Sequence, residues 1–358
     1  NKGVFMLKKK ICVIFGGEST EYEISLRSAT SIINELDKEK YDIMTVGITR
    51  GGKWKEYTGK VENIICDKWY DDSLKDVSVD LGGADGSLIV YGNGKFEKVK
   101  IDCAFLGLHG ANGEDGTVQG LLKLAHIPYT GPDMLTSCLG MDKAYTKIML
   151  ASAGIDQANW VTVNDYDRDE IMKKVVDAEE ILGYPMFVKP SNAGSSIGIG
   201  KAKNRDELMS AIDNAFKFDR RIIIEEFLSG REVECAVMGK RGVVRVSCVG
   251  EIKAANEFYD YEAKYSDKVE SKLIIPAEFK GGIEQRIKDT AKRAFIALDG
   301  KGYSRVDFFV NEDDGTVKLN EINTLPGFTS ISMFPKLFMH EGFSYAEILD
   351  RLIEIGME

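Results

Sequence analysis

The stretch that most constrains the fold of this chain is residues 302–327. It contains two runs rich in β-branched and aromatic residues, 303–310 and 316–323, with the polar sequence NEDDG between them. Asp and Gly favour turns, and the composition of the flanking runs favours strands, so the stretch predicts a β-hairpin. The C-terminal part of the chain is therefore expected to be built around an antiparallel strand pair.

Four polar side chains of this hairpin are expected to share one face. Side chains alternate along a strand, so Glu321 and Asn323 point the same way. With the pairing centred near Asp313, Arg305 faces Glu321 and Asp307 is its diagonal neighbour. Carboxylate and carboxamide oxygens suit magnesium that is held together with phosphate oxygens. The hairpin therefore predicts a metal site; a solvated hairpin face is the alternative, since a one-residue slip in register would scatter the set.

Composition is that of a soluble globular protein and argues against a nucleic-acid partner. The 358 residues predict two or three domains, and the 44% apolar and 29% charged contents are ordinary for such proteins. A net charge of −10 is the opposite of what a nucleic-acid surface requires. No run of about 18 apolar residues and no signal-peptide pattern occurs, so we expect a cytoplasmic protein whose natural start is Met6. Cys12, Cys103 and Cys235 lie in apolar runs and are expected to be reduced core residues.

The N-terminal part predicts a βαβ unit with an acidic loop. The apolar run 11–15 is followed by two glycines, a helix with helically spaced apolar residues, and a second strand at 41–49. The glycine loop lacks the full dinucleotide fingerprint. It carries acids, including Glu21, that suit an ammonium group better than a pyrophosphate. Residues 51–100 predict short strands and loops.

Residues 101–153 predict a buried strand, a domain boundary and a long helix. The strand 101–110 ends at His109, in front of a glycine-rich loop, so His109 is either a site residue or a structural histidine. The turn-like sequence at 129–132 marks the boundary. A single helix is expected over 133–153, with Lys143 on it.

A second hairpin, at 185–202, predicts a phosphate site. Its first strand delivers Lys189, the loop SNAGSS follows, and a second strand is expected at 197–202. Small residues let backbone N–H groups approach an anion, serines add hydroxyl donors, and the lysine adds a charge. No GK[ST] sequence follows and no helix begins there, so the pattern favours a phosphate-covering hairpin over a Walker loop. A flexible hairpin tip is the alternative.

Carboxylates beside the predicted strand 222–228 indicate a further binding function. Glu225 and Glu226 lie in this strand and Glu232 follows it. Buried carboxylates are costly unless they are paired, so we expect a ligand such as a nucleotide ribose, which offers two hydroxyl donors. The aromatic and charged segment 257–268 predicts an ordered loop that is long enough to cover a cleft, with plain packing as the alternative.

Taken together, these motifs resemble the ATP-grasp fold and, within it, the D-alanine–D-alanine ligase family. The resemblance covers essentially the whole chain and rests on the ordered motifs GGESTEYEISL, LHGANGEDGTVQG, VKPSNAGSSIGI, IIIEEFLSGREVE, FYDYEAKY, SRVDFFV and LNEINTLPGFTSIS. It implies an α/β (α+β) protein of three domains: an N-terminal Rossmann-like α/β domain at 6–132, a small central α+β domain at 133–228, and a C-terminal α+β domain with a mixed sheet at 229–358.

The resemblance also implies an activity and its partners. The expected reaction is the ATP-dependent ligation of two D-alanines through an acyl phosphate, with two Mg²⁺ or Mn²⁺ ions, for peptidoglycan precursor synthesis. A homodimer without membrane insertion is expected.

Site residues follow from the resemblance position by position. Contacts with ATP are implied for Lys143, Lys189, Ser196, Glu225, Glu226, Phe227, Leu228, Glu232 and Phe258. The implied metal ligands are Asp307, Glu321 and Asn323. The implied catalytic residues are the bonded trio Glu21, Ser195 and Tyr265, together with Arg305 and the N–H of Gly327 at the tetrahedral centre. The remaining implied substrate contacts are His109, Lys264, Ser332 and Met333.

Two alternatives to D-alanine ligation remain at this point. A relative that uses D-serine or D-lactate as acceptor would share most of these residues, although Tyr265 and the apolar Met333 favour D-alanine. Ile331 departs from the larger polar or aromatic residue of many relatives, which affects the shape of the acceptor pocket. An inactive nucleotide-binding sensor is disfavoured, because the metal ligands, the arginine and the phosphate lysines are all present.

Overall fold

The computed structural model describes residues 7–240, 242–253 and 272–358, and its strands form three sheets of seven, four and five strands. Each sheet is built from one continuous part of the chain and lies within one of the three predicted domain ranges. The domain boundaries themselves remain a prediction. The predicted covering loop at 257–268, with Phe258, Lys264 and Tyr265, lies outside the described residues. Among the described helices, none combines the length and the apolarity needed to span a membrane.

The first sheet has the order β6-β5-β4-β3-β2-β1-β7, and β1, next to the edge strand β7, pairs in parallel with β2 and β7. β1 is apolar because it is covered on both faces: its residues from Ile11 to Phe15 are fully buried. The carboxyl ends of β1 and β7 meet at one edge, where ligands bind in open α/β sheets. The elements of this part are β1 (Lys9–Gly16), α1 (Tyr22–Glu35), β2 (Tyr41–Ile48), β3 (Trp54–Tyr57), α2 (Glu62–Ile65), β4 (Asp76–Val79), β5 (Ser87–Gly92), β6 (Lys95–Lys100), β7 (Cys103–Leu106) and α3 (Thr117–Leu124).

The second sheet is antiparallel, with the order β10-β9-β11-β8. Two helices, α6 and α7, cover it, and Val175 and Ile212 pack with Ile222 and Ile224 of β11 in a core of their own. The elements are α4 (Met134–Met141), α5 (Lys143–Ser152), β8 (Trp160–Asn164), a 3₁₀ helix (Asp165–Glu170), α6 (Ile171–Leu182), β9 (Met186–Pro190), β10 (Gly200–Ala202), α7 (Arg205–Ala215) and β11 (Arg221–Glu226).

Two sequence-based expectations in this part are wrong in detail. The helix expected over 133–153 is interrupted at Asp142, whose backbone is extended and whose side chain accepts hydrogen bonds from the N–H groups of Ala144 and Tyr145. Asp142 is therefore the N-cap of a new helix, and Lys143 is the first residue of α5. The strand expected at 197–202 is confined to β10, because the left-handed backbones of Ser195 and Ser196 (φ 52° and 60°) keep the chain in a loop.

The third sheet has the order β14-β13-β12-β15-β16. Its strand pairs are antiparallel, and in the described residues the parallel contribution to the predicted mixed sheet is an isolated bridge between Gln157 and Leu319. Helix α8 covers one face through Ile283 and Phe295, while α9 covers part of the other through Phe334. The elements are β12 (Arg231–Lys240), β13 (Val243–Lys253), β14 (Lys272–Ile274), α8 (Ile283–Ala297), β15 (Gly302–Asn311), β16 (Thr316–Asn323), α9 (Met333–His340) and α10 (Tyr345–Met357).

Candidate functional site

A cleft of about 990 Å³ brings the predicted residues together. All predicted site residues within the described ranges line this cleft, except Asp307, which is buried. The volume of the cleft falls at the upper end of the range for ligand pockets, about 300–1,000 Å³, so the cleft has room for a nucleotide and small substrates.

The hairpin of β15 and β16 forms one wall of the cleft, and its register differs from the prediction. Arg305 lies opposite Asn323 and Asp307 lies opposite Glu321, so the predicted facing pair of Arg305 and Glu321 is wrong. The shared face is nevertheless present. Nearer the turn, Phe308 pairs with Leu319, which leaves Asn320 as an extra residue in β16.

This β-bulge is what places the four polar side chains on one face. If the register near the turn continued unbroken, Asp307 would face Asn320 and Glu321 would point to the opposite side of the sheet. The extra residue shifts the pairing by one position and returns Glu321 and Asn323 to the side of Arg305 and Asp307. Bulges often lie next to active sites, where they redirect a side chain.

Arg305 is held by two carboxylates. Its Nε and Nη2 donate to the two oxygens of Asp307 at 2.8 and 2.7 Å, and its Nε lies 3.0 Å from Oε2 of Glu234. Asn323 donates from Nδ2 to Asp307 at 2.9 Å. Burial disfavours the charged guanidinium, but Asp307 and Glu234 outweigh this effect and raise the pKa of Arg305. A cation therefore stays fixed at the floor of the cleft.

Glu234 is a site residue that sequence reasoning missed. It lies directly opposite Asp307 on β12, so Glu234, Asp307 and Glu321 form a row across three strands. The available signal was strand alternation, because Glu234 is two residues beyond Glu232 and shares its face.

The carboxylate row fits a metal that is shared with a ligand. Asp307 and Glu321 are directly opposite and Asn323 is next to them, which supplies two carboxylates and one carboxamide. Within the described parts of the chain, no three Asp, Glu, His or Cys residues form a complete protein-only metal site. Magnesium is commonly bound by one or two carboxylates with phosphate oxygens completing its octahedron, so this donor set fits that ion.

On the opposite wall, Glu225 is paired with two lysines. Its Oε1 lies 2.6 Å from Nζ of Lys147 and its Oε2 lies 2.5 Å from Nζ of Lys189. Burial alone would raise the pKa of Glu225, but the two lysines lower it to about 2. Glu225 therefore does not need a ligand to offset its burial, because the protein supplies its counter-charges; the ribose contact of Glu232 stays a prediction. Lys147 was missed, since no local pattern links α5 to β11.

The glycine- and serine-rich loop after β9 contacts both the start of α5 and the acidic loop that follows β1. Lys143 donates from Nζ to the carbonyl oxygen of Ala193 at 2.8 Å. The hydroxyl of Ser195 donates to Oε1 of Glu21, which joins two of the three members of the predicted trio; Tyr265 lies outside the described residues. A Cβ at Gly194 would lie 2.8 Å from Oε2 of Glu21, so a larger residue here would have to displace this carboxylate.

The remaining predicted nucleotide contacts lie at the end of β11. Glu226 is bound by Nζ of Lys318 at 2.5 Å and by the N–H of Asn159 at 2.9 Å, which lowers the pKa of Glu226 against the effect of its partial burial. The exposed ring of Phe227 stands 6.1 Å from that of Phe187, and the ammonium of Lys201 lies 4.9 Å from the Phe227 centroid. Apolar rings and open backbone therefore meet at this end of the cleft.

His109 connects two parts of the fold. Its Nε2 lies 2.8 Å from the Ser28 hydroxyl and its Nδ1 lies 3.0 Å from the carbonyl oxygen of Leu325. Both ring nitrogens are engaged, as in a structural histidine, although the residue also lines the cleft. A direct contact with substrate remains a prediction.

The far end of the cleft is formed by the segment that enters α9. The Ser332 hydroxyl accepts from the N–H of Thr329 at 3.0 Å, and a Cβ at Gly327 would lie 2.7 Å from this hydroxyl oxygen. Met333 is buried, whereas Ile331 is 50% exposed. A short polar side chain, an apolar one and unobstructed backbone thus surround this end.

Two family models match the chain in sequence. The model described as "D-ala D-ala ligase N-terminus" matches residues 10–132, and the model described as "D-ala D-ala ligase C-terminus" matches residues 149–354. Together they cover most of the chain.

Relatives match over nearly their whole length. A protein of Ruminiclostridium cellulolyticum named D-alanine–D-alanine ligase is 46% identical, with 99% of this chain and 96% of the relative covered. One of Acetivibrio thermocellus with the same name is 47% identical, with 98% and 96% covered.

Solved structures give the same result for the fold. The VanG D-Ala:D-Ser ligase from Enterococcus faecalis is 41% identical with a TM-score of 0.88, covering 98% of this chain and 100% of that one. The D-alanine–D-alanine ligase from Coxiella burnetii is 32% identical with a TM-score of 0.84, covering 98% and 94%.

Proposed function

Because the chain belongs to the D-alanine–D-alanine ligase family, we propose that it joins two D-alanines in an ATP-dependent reaction through an acyl phosphate. The observation that carries this proposal is the cleft, which has lysines on one wall, a carboxylate row with a fixed arginine on the other, and Glu21 between them. ATP and an amino acid require these complementary groups.

ATP is assigned to the part of the cleft between the second and third sheets. Lys143, Lys189 and the loop with Ser196 would meet its phosphates, since lysines and backbone N–H groups bind anions. Residues 225–228 would present backbone groups to adenine, and Glu232 would accept from the ribose hydroxyls. The predicted contact of Phe258 with the base belongs to this proposal as well.

Asp307, Glu321 and Asn323 would hold Mg²⁺ or Mn²⁺ between the protein and the ATP oxygens. Such ions neutralise charge on a transferring phosphoryl group. The chain itself contributes the orientation of these ligands, which the bulge at Asn320 aligns.

The first D-alanine would bind beside Glu21, whose carboxylate suits its ammonium group. An oxygen of its carboxylate then attacks the γ-phosphorus of ATP, and ADP leaves. The trio of Glu21, Ser195 and Tyr265 would hold the covering loops closed and exclude water, which would otherwise hydrolyse the acyl phosphate.

The amine of the second D-alanine then attacks the acyl carbon, and phosphate leaves. The oxyanion that forms would be stabilised by Arg305 and the N–H of Gly327, because fixed donors act strongly where charge develops. Ser332 and Met333 would receive the acceptor's carboxylate, and Lys264 and His109 would complete the substrate contacts.

D-serine is the second candidate acceptor. The likeness to a D-Ala:D-Ser ligase at 41% identity supports it. The buried, apolar Met333 favours the methyl group of D-alanine. We therefore propose D-alanine as the acceptor, in a cytoplasmic homodimer that serves peptidoglycan precursor synthesis.

Phosphate release with product masses tests the reaction. The protein would be incubated with ATP and Mg²⁺, with D-alanine, L-alanine, D-alanine plus D-serine, or D-alanine plus D-lactate. We expect release and dipeptide formation with D-alanine alone. Mixed product with little D-alanyl-D-alanine would instead identify D-serine or D-lactate as the acceptor, and ATP binding without release in any tube would indicate a nucleotide-binding protein without ligase activity.

A further inference from the structure

A largely buried lysine in the wall of the ATP part of the cleft has no role in the reaction described so far. The Lys147 side chain is 4% exposed, and its Nζ contacts Oε1 of Glu225 at 2.6 Å and the carbonyl oxygen of Ala158 at 3.1 Å. Its ammonium also lies 5.2 Å from the ring centroid of Trp160. The side chain packs among residues of α5, β8 and β11, and a small part of it lines the cleft.

Lys147 belongs to a three-group chain that ends in the cleft. Glu225 lies between Lys147 and Lys189, with one carboxylate oxygen on each ammonium, and of the two lysines Lys189 is the more exposed, at 17%. Two ammonium groups and one carboxylate leave one net positive charge. Without Lys147, the pair of Lys189 and Glu225 would be neutral.

The charge matters because the surrounding cleft is rich in acids. Glu232, Glu234 and Glu321 line the same cleft, and both Glu232 and Glu321 act electrostatically on Lys189. A polyanion that enters must overcome this negative field. Buried charges are screened weakly by solvent, so a charge that does not touch the ligand still contributes.

Burial also explains why the pKa values of Lys147 and Lys189 shift in opposite directions although both lysines contact the same carboxylate. Desolvation lowers the pKa of Lys147 despite the attraction of Glu225, and the nearby Lys189 adds repulsion. For Lys189, Glu225 and the cleft acids outweigh desolvation and raise the pKa. Glu225 is thus the main group that opposes desolvation at Lys147, and a residue that served packing alone would not need such a partner.

We propose that Lys147 is a positioning residue for ATP: by neutralising Glu225 from behind, it leaves the charge of Lys189 available to the nucleotide phosphates. This inference rests on the proposed binding of ATP in the cleft. It assigns to Lys147 an effect on phosphate affinity that acts through Glu225 and Lys189.

Nucleotide binding to Lys147→Met tests the proposal. Calorimetric titrations of the full chain with Mg²⁺ would compare ATP, ADP and adenosine. We expect Lys147→Met to weaken ATP binding about tenfold, ADP binding less, and adenosine binding little, because the lost effect scales with ligand charge. Lys55→Met is the matched control, since Lys55 is also a buried lysine with a carboxylate partner, Asp76, but lies in the first sheet.

A double variant separates charge from structure. Lys147→Met with Glu225→Gln removes one positive and one negative charge and restores the net charge of the wild type. We expect it to recover most of the ATP affinity lost in Lys147→Met, and this comparison with wild type holds even if the single variant does not fold.

The outcomes are distinct. Equal weakening of ATP, ADP and adenosine, or a double variant as weak as Lys147→Met, would overturn the inference. If the wild type itself fails to bind ATP, the proposed function fails and the inference fails with it. Wild-type ATP affinity in a folded Lys147→Met would overturn the inference alone.

Discussion

At the scale of single residues, a substitution of Glu321 should impair the reaction without destabilising the fold. Glu321 lies on a strand face that opens into the cleft, so the core does not depend on its carboxylate. We expect Glu321→Gln to reduce turnover by a hundredfold or more, roughly the cost of losing one essential electrostatic contact, while the unfolding temperature changes little. Phosphate release and thermal unfolding measure the two effects.

Asp313→Asn is the control for this variant. Asp313 is exposed in the turn of the same hairpin, and its substitution should leave turnover unchanged. A wild-type rate in Glu321→Gln would remove Glu321 from the metal site.

A substitution of Ser195 tests the contact between the glycine- and serine-rich loop after β9 and the N-terminal part of the chain. Ser195→Ala removes the hydroxyl that donates to Glu21. A hydrogen bond to a charged group contributes about 1.5–3 kcal/mol, so we expect kcat/KM for D-alanine to fall at least about tenfold. Ser210→Ala, on an exposed part of α7, should have no effect. Equal kinetics for the two variants would exclude Ser195 from the closing contact, and Tyr265→Phe tests the third member of the trio in the same assay.

Glu225 predicts a pH dependence of stability. Its pKa is lowered from 4.5 to about 2 in the folded chain, so its carboxylate stabilises the fold above pH 4.5 and loses this effect as the pH falls toward 2. Glu225→Gln leaves two buried lysines facing a neutral group and should cost about 3–5 kcal/mol at neutral pH. Urea unfolding between pH 7 and pH 3 should show the wild-type advantage shrinking below about pH 4.5; an advantage independent of pH would contradict the pairing.

Sequence predicted which residues line the site better than it predicted their pairs. Alternation along a strand placed Arg305, Asp307, Glu321 and Asn323 on one face, because period two is a local property. The bulge at Asn320 is set by how the whole strand pairs, so the facing partners were wrong. The contact of Lys147 with Glu225 joins elements far apart in sequence, and neither residue carries a local signal for the other.

At the scale of elements, the break between α4 and α5 positions a lysine. Asp142 caps α5, accepts from the Ser191 hydroxyl at 2.5 Å and pairs with Nη1 of Arg221 at 2.7 Å. Helical periodicity continues through 133–153, which is why the sequence predicted one helix. The cap redirects the chain and joins the start of α5 to the glycine- and serine-rich loop after β9, whose Ser191 carbonyl accepts from the N–H of Lys143 at 2.9 Å.

Asp142→Ala measures how much this junction contributes to the free energy of unfolding and to the KM for ATP. Loss of the cap alone costs about 0.5–2 kcal/mol, and loss of the partner of Arg221 adds to it. We expect a lower free energy of unfolding and a raised KM for ATP, because Lys143 loses its fixed starting point. Asp133→Ala is the control, since Asp133 precedes α4 without a capping hydrogen bond from its side chain. A change in Asp133→Ala as large as in Asp142→Ala would show that the junction has no special role.

At the scale of the whole molecule, the cleft is assembled from all three sheets. Glu21 comes from the loop between β1 and α1, Lys189 from the second sheet, and Arg305 with the carboxylate row from the third. In the proposed reaction, Lys189 would meet the ATP phosphates and Glu21 would meet the first D-alanine, and these two residues come from different parts of the fold. Ligation would therefore require these parts to be held together. Contacts such as that of His109 with Leu325 join the first sheet to the segment that follows the third.

Transfer of oxygen from substrate to phosphate tests the central claim most directly. D-alanine labelled with ¹⁸O in its carboxylate would be incubated with the protein, ATP and Mg²⁺, and the released phosphate analysed by mass. If the carboxylate attacks the γ-phosphorus, one carboxylate oxygen becomes the bridging oxygen of the acyl phosphate. The amine then attacks the acyl carbon and breaks the carbon–oxygen bond, so each released phosphate should carry one labelled oxygen. Unlabelled phosphate alongside dipeptide would contradict the acyl-phosphate route and the assignment of the cleft on which it rests.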